Sequence, residues 1–268
     1  MDMTLAVSFG LLVGLSLGLT GGGGSILAVP LLIYGLGMEL RAAVAISLAV
    51  VGLTSLFGAV IQAKSGNVLW KAGAVLGTGG ILAAPFGARL GTLIPEDISL
   101  VLFAALMVFV GARMARSEAP SPEVPSSPRR FACPLDDQGR PAGGLACALK
   151  LGVAGLMTGV LSGFFGVGGG FLLAPALIFV AGVSIDRALA TSLVAIALTA
   201  VSGFIANFAA AYGSPIALTA VFAVGSWAGM IGGAWLKQYL SPLVLRRIFA
   251  VVAVGAGIFV ATETLLFG

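Results

Sequence analysis

Two glycine-rich motifs are the residues best placed to do chemistry in this 268-residue chain. GLTGGGGSILAVP runs from Gly18 to Pro30, and GFFGVGGGFLLAP echoes it from Gly163 to Pro175. A glycine run inside an apolar stretch ends one helix and starts another. The first amides of the new helix lack intrahelical partners, and its positive dipole end points the same way. With no bulky side chains over them, Gly23, Gly24 and Ser25 in the first copy leave those N–H groups open to an anion, as do Gly168, Gly169 and Gly170 in the second. The chemistry is anion binding by backbone donors rather than by basic side chains. Tight helix packing, as at Gly14-x-x-x-Gly18, is the competing reading.

A second pattern lies downstream in each copy. Ser47, Thr54, Gly58 and Gln62 are spaced by seven, four and four, which puts them on one narrow stripe of a helix. Ser192, Thr199, Gly203 and Asn207 repeat it. Such hydroxyls and amides either hydrogen-bond the oxygens of an anion or glue helices together. Arg41, after Glu39, and Arg187, after Asp186, sit at equivalent turns. There they would attract anions at a vestibule, or snorkel beside a local partner. The chain has no histidine, the commonest proton shuttle and metal ligand. It shows no carboxylate pair, nucleophile–base set, metal-ligand cluster or ATP-binding P-loop. Neither an enzyme nor a cofactor is expected. No basic run interleaved with aromatics suggests nucleic acid.

The elements that must position these residues follow from composition. Hydrophobic residues make up 59% of the chain and charged ones 9%, against about 25% charged in soluble domains; the mean hydropathy is +1.13. Apolar stretches fall at 3–20, 25–37, 42–63, 68–93 and 97–115, then at 145–165, 170–182, 187–210, 215–238 and 243–266. Most are long enough for a helix to cross a bilayer, and they are apolar all round rather than alternating, so helices are expected rather than barrel strands. Between the two sets, residues 117–144 are rich in proline, serine and charge and read as a flexible linker. Cys133 and Cys147 near that linker read as reduced thiols. No basic segment precedes the first apolar stretch, so a cleaved signal peptide is not expected.

The flanking regions, 1–116 and 145–268, match each other at an offset of 145 (Pro30 against Pro175). Gly18, Gly21, Gly23, Gly24, Leu27, Ser47, Leu48, Thr54 and Gly58 all meet identical residues. Loop charge then orients the copies. Lys64 and Lys71 lie between the third and fourth stretches of the first copy, where the second has the uncharged Ala211–Ser214. Between the fourth and fifth stretches the bias reverses, from Glu96 and Asp97 to Lys237, Arg246 and Arg247. Basic loops stay in the cytoplasm. The expected fold is therefore an all-α polytopic membrane protein of two inverted repeats, each of about five helical segments, with glycine-broken or re-entrant short helices. The second stretch of each copy is too short to cross alone. The linker is expected in the cytoplasm and both termini outside.

The duplicated glycine motif and its proline, followed by Ser47-Leu48 and Thr191-Ser192-Leu193, resemble the TauE/SafE sulfite exporter family over both copies. The resemblance implies a multi-pass protein of the bacterial inner membrane that exports sulfite or an organosulfonate such as sulfoacetate. The expected partners are a small anionic substrate and the lipid bilayer, and a homo-oligomer is compatible with the sequence. One half would rock or slide against the other to alternate access. The alternatives are movement or import of another small anion such as thiosulfate, and a membrane scaffold acting through the linker. Cation uptake is disfavoured by the absence of histidine and the scarcity of intramembrane acids. The sequence departs from symmetry where Gly22 and Ser25 face Val167 and Gly170.

Overall fold

A computed structural model describes residues 3–116, 144–211, 216–240 and 242–267. Most of the linker, from 117 to 143, and Cys133 with it, lie outside the described residues. The first half holds α1 (Met3–Thr20), α2 (Ser25–Pro30), α3 (Leu40–Ala63), α4 (Trp70–Leu93) and α5 (Glu96–Arg116). The second holds α6 (Gly144–Phe165), α7 (Gly170–Ala176), α8 (Ile185–Ala206), the short α9 (Phe208–Ala211), α10 (Ile216–Leu236) and α11 (Pro242–Phe267). All regular structure among the described residues is helical. Among the described residues, five helices, those at 3–20, 40–63, 146–165, 186–206 and 217–239, are long and apolar enough to cross a membrane. The chain is an all-α polytopic membrane protein.

Glycine decides how these helices meet. Gly10, Gly14 and Gly18 of α1 lie against the backbone carbonyls of Phe222, Ser226 and Met230 on α10. Residue numbers rise together along both helices, so α1 and α10 are parallel. Gly155, Gly159 and Gly163 of α6 repeat the arrangement against the carbonyls of Leu76, Gly80 and Ala84 on α4. A Cβ at any of these positions would strike backbone, which is why small residues recur every fourth place. α3 and α8 cross antiparallel, with Gly52 against Ala200 and Gly203 against Leu48. α5 packs on α11. Each half thus lends its first helix to the other half's fourth, while third meets third and fifth meets fifth.

The short second segments do not continue the first helices. α2 carries six α-helical residues ending at Pro30, then a π turn over Leu31–Gly35. It doubles back along α1, with Gly24 against the backbone of Val13, Ser16 and Leu17, and Gly35 against the Phe9 ring. α7 does the same along α6, where Gly169 lies on Thr158, and it too passes into a π turn at Leu177–Ala181. At about 1.5 Å per residue, the 11 residues of 25–35 rise only about 16 Å. Each half therefore contains a helical hairpin whose tip is the glycine run.

Cys147 corrects one expectation, since it is disulfide-bonded rather than a free thiol. Disulfides persist in oxidising compartments and are reduced in the cytosol, so the state of this residue depends on the side it faces.

Candidate functional site

The two hairpin tips meet. Gly22 packs directly on Gly170, its Cβ position lying 2.6 Å from the Gly170 carbonyl oxygen, and Gly168 wedges between Val51 of α3 and Ile196 of α8. Residues 21–25 and 166–170 are all buried. Left-handed backbone makes the breaks: Gly21 (φ +66°) in the first, and Gly166, Gly168 and Gly169 (φ +67° to +72°) in the second. The asymmetry seen at Gly22 and Ser25 against Val167 and Gly170 thus extends to conformation.

Two serines fix the tips, and they do so reciprocally. Ser47 on α3 donates its hydroxyl to the Gly166 carbonyl (2.7 Å), and Ser192 on α8 donates to the Gly21 carbonyl (2.8 Å). Each half's third helix therefore holds the other half's break. The amides nearby are less well served. Ser25, Ile26 and Leu27 donate into the turn below them at 3.1–3.4 Å, and Leu172 and Leu173 to Gly169. Among the described residues, no acceptor is found for the N–H groups of Gly22, Gly23, Gly24, Val167, Gly168 and Gly169. Buried amides are nearly always paired, so this cluster of spare donors is chemically conspicuous.

The other expected site residues divide into held and spare groups. Ser25 donates to the Gly22 carbonyl, Thr199 to Ala195, and Asn207 to Gly203 and Gly163. Thr54 is buried with no partner for its hydroxyl. Gln62 is half-buried near the end of α3. From Ser47 to Gln62 the helix rises about 22 Å, so the stripe could line a path but cannot grip one small ion. Arg41 reaches the Thr92 carbonyl at 3.4 Å, while Glu96 accepts from the amide of Leu40. Arg187 follows Asp186, which pairs with Lys237 at 2.7 Å. Because α3 and α8 are antiparallel, the two arginines stand at opposite ends of the bundle.

Two grooves are present, neither of them lined by the glycines of the tips. Both are apolar and lie on the outer surface. One, about 450 Å³, runs between Ile81, Pro85, Leu198, Val201 and Ile205; the other, about 470 Å³, is lined by Leu102, Phe109, Val160 and Phe164. The glycine centre itself is buried. The sequence reading missed Ser55, Ser162 and Ser226, fully buried hydroxyls without partners. It also missed Thr191, which accepts from the Leu69 amide at 3.0 Å.

Long apolar helices surrounding two hairpins that touch at their tips define a polytopic membrane protein with buried backbone donors at its centre. Residues 6–260 match the family described as Sulfite exporter TauE/SafE, and the chain belongs to that family. It is 32% identical over 264 residues to a probable membrane transporter protein of Xylella fastidiosa (strain Temecula1), covering 97% of this chain and 95% of the relative. A probable membrane transporter protein of Bacillus subtilis (strain 168), YdhB, is 25% identical over 92% of this chain and 95% of its own length. One from Methanocaldococcus jannaschii is 29% identical over 78% and 73%. No solved structure matches the chain. The protein is a membrane transporter.

Proposed function

We propose that the protein is a secondary transporter that exports a small sulfur-containing anion, sulfite or an organosulfonate such as sulfoacetate, across a bacterial inner membrane. One observation carries the reading: buried, unspent backbone N–H groups from two hairpins are brought to one place, where separation of the tips would expose them to a shared anion. Half-helix starts directed at an anionic group are a recurring device in secondary transporters. Gly23, Gly24, Gly168 and Gly169 supply unspent donors in this reading, while Ser25, whose amide turns to Gly22, and Gly170 complete the two tips. Thr54 and Gln62 add polar contacts along the path, Ser47, Ser192, Thr199 and Asn207 shape it through their own bonds to carbonyls, and Arg41 and Arg187 stand at its two mouths. Membership of a family described as sulfite exporters supports the sulfur oxyanion.

In this reading the hairpins are re-entrant from opposite faces, the linker is cytoplasmic and both termini are outside. An anion leaving the cell gains about 2.3 kcal/mol per charge for each 100 mV of inside-negative potential, so export needs no proton coupling. The test is purified protein in liposomes loaded in turn with sulfite, thiosulfate, sulfoacetate and sulfate, with an imposed potential. Flux of sulfite or the sulfonate, weakened by Gln62→Ala and Asn207→Ala, is expected. Flux of thiosulfate alone would move the assignment to the runner-up substrate, and no flux of any anion would remove the reading. Deleting residues 118–140 should leave flux intact; a scaffold acting through the linker would lose its function instead.

A further inference from the structure

We propose that Thr54 on α3 and Ser226 on α10 form a hydroxyl contact, on the seam between those two helices, for the oxygens of the transported anion. The proposal rests on the anion-transport reading above and adds to it a helix, α10. A serine or threonine inside a helix ordinarily donates back to a carbonyl three or four residues earlier. Thr20, Thr158, Thr199 and Thr264 all do so here. Thr54, Ser55 and Ser226 are fully buried and do not. Away from lipid-exposed backbone, a buried hydroxyl that spends nothing on the protein is costly unless a ligand or an ordered water uses it.

Internal symmetry shows where these hydroxyls lie. Gly14 rests on the carbonyl of Ser226, and its counterpart Gly159 rests on that of Gly80, so Ser226 and Gly80 occupy matching places. Thr54 matches Thr199 at the offset of 145. On the α4–α8 seam, bare Gly80 lies directly against the Thr199 side chain, whose hydroxyl is spent on Ala195. That seam is closed, and α4 packs along α8 more extensively than α10 packs along α3. On the α3–α10 seam a hydroxyl stands on each helix instead. Stacking of Phe57 on Trp227 at 5.6 Å, and contact of Gly58 with Met230, hold the two segments at the same level. Ser55 faces no hydroxyl in the other half, because its counterpart is Ala200. Thr54 lies about 21 Å along a helix of about 36 Å, within a turn of Val51, which touches the second hairpin tip at Gly168. The Thr54 hydroxyl is thus close to the depth of the spare amides, and on the other side the unspent hydroxyl belongs to Ser162 of α6, whose carbonyl accepts from the Gly166 amide.

Donor hydroxyls beside donor amides suit a ligand that accepts hydrogen bonds, an oxyanion. The experiment uses the full-length protein in detergent and in liposomes, with Ser226→Ala, Thr54→Val and their double variant, and Ser202→Ala as control. Ser202 donates to the Ile81 carbonyl at the outer groove and is already satisfied. Ser226→Ala and Thr54→Val should each raise the KM for sulfite about tenfold, the worth of one hydrogen bond to an anion. Their thermal midpoints should not fall, and the double variant should lose less than the product of the two, since both act on one ion. Ser202→Ala should do the reverse, lowering the midpoint and leaving KM alone. Unchanged KM in both variants overturns the contact while leaving anion transport standing. A KM that shifts only when sodium replaces choline assigns the hydroxyls to a cation and also overturns it. If wild type neither moves nor is thermally stabilised by sulfite, thiosulfate or isethionate, the transport reading falls and this one with it.

Discussion

Four glycines share one backbone conformation but not one environment, and that difference separates strain from crowding. Gly21 and Gly166 (φ +66° and +72°) sit at the hairpin tips, whereas Gly37 and Gly182 (φ +65° and +64°) lie in exposed turns. A Cβ on Gly37 or Gly182 would meet nothing within 4 Å. One on Gly21 would lie 2.7 Å from the Leu189 Cβ and 2.9 Å from its Cα; one on Gly166 would lie 2.7 Å from the Val44 Cα. Left-handed backbone costs an L-residue about 1–2 kcal/mol wherever it occurs. Overpacking against backbone that cannot yield adds about 1–3 kcal/mol. Gly37→Ala and Gly182→Ala should therefore destabilise by about 1–2 kcal/mol and keep full flux. Gly21→Ala and Gly166→Ala should cost about 2–5 kcal/mol and depress flux, because they force apart α8 from the first tip and α3 from the second. Reversible unfolding in mixed micelles, read beside flux in liposomes, measures both. If the tip variants are no less stable than the turn variants, the tips are not packed as described and the argument for a shared centre is wrong.

The remaining predictions concern the other contacts. Ser47→Ala and Ser192→Ala should each cost about 1–3 kcal/mol, the penalty of leaving a buried carbonyl without its donor; a loss in one variant only would contradict the reciprocal tie. Gly14→Leu or Gly159→Leu should abolish a monodisperse peak on size exclusion, since the side chain would have to occupy backbone of α10 or α4; a well-behaved Leu variant would show that these helices do not touch. A green fluorescent protein fused after Arg116 should fluoresce, and alkaline phosphatase fused to the C-terminus should be active, if the basic linker is cytoplasmic. The opposite pair of results would put the linker outside, where the Cys147 disulfide is stable.

Much of this arrangement was legible because glycine is informative in lipid. The repeat at an offset of 145 located both tips, and the shortness of 25–37 and 170–182 pointed to segments unable to cross alone. The serine at the head of each stripe marked a real contact, although its partner, a carbonyl of the other half, lies 119 residues away for Ser47 and has no trace in local pattern. The hydroxyls left over were invisible for a physical reason. Comparing the halves draws attention to matched residues, and at the offset of 145 Ser226 meets Ile81 while Ser55 meets Ala200. Exposed polar residues announce themselves by periodicity, but a single buried serine in an apolar helix differs from alanine by one atom. Only the accounting of donors and acceptors in three dimensions separates Thr199, which is satisfied, from Thr54, which is not.

The pairing of helices also decides which bodies can move. Rocking of one sequence half against the other would have to slide α1 along α10 and α6 along α4. Those contacts set glycine against carbonyl oxygen at every fourth residue, and such interlocked backbones resist sliding because each step drives a carbonyl into the next Cα. The α1–α10 pair and the α4–α6 pair are therefore the coherent units, each carrying one hairpin base, with α3 and α8 crossing between them. Motion that exposes the spare amides must pull a pair away from the crossing helix beside it. The less extensively packed of those two seams is α3–α10, where Thr54 and Ser226 stand unsatisfied, while α4–α8 is held by Leu69 on Thr191 and by Ser202 on Ile81. If access opens first along α10, a crosslink between α3 and α10 should stop flux that the same crosslink between α1 and α10 leaves intact.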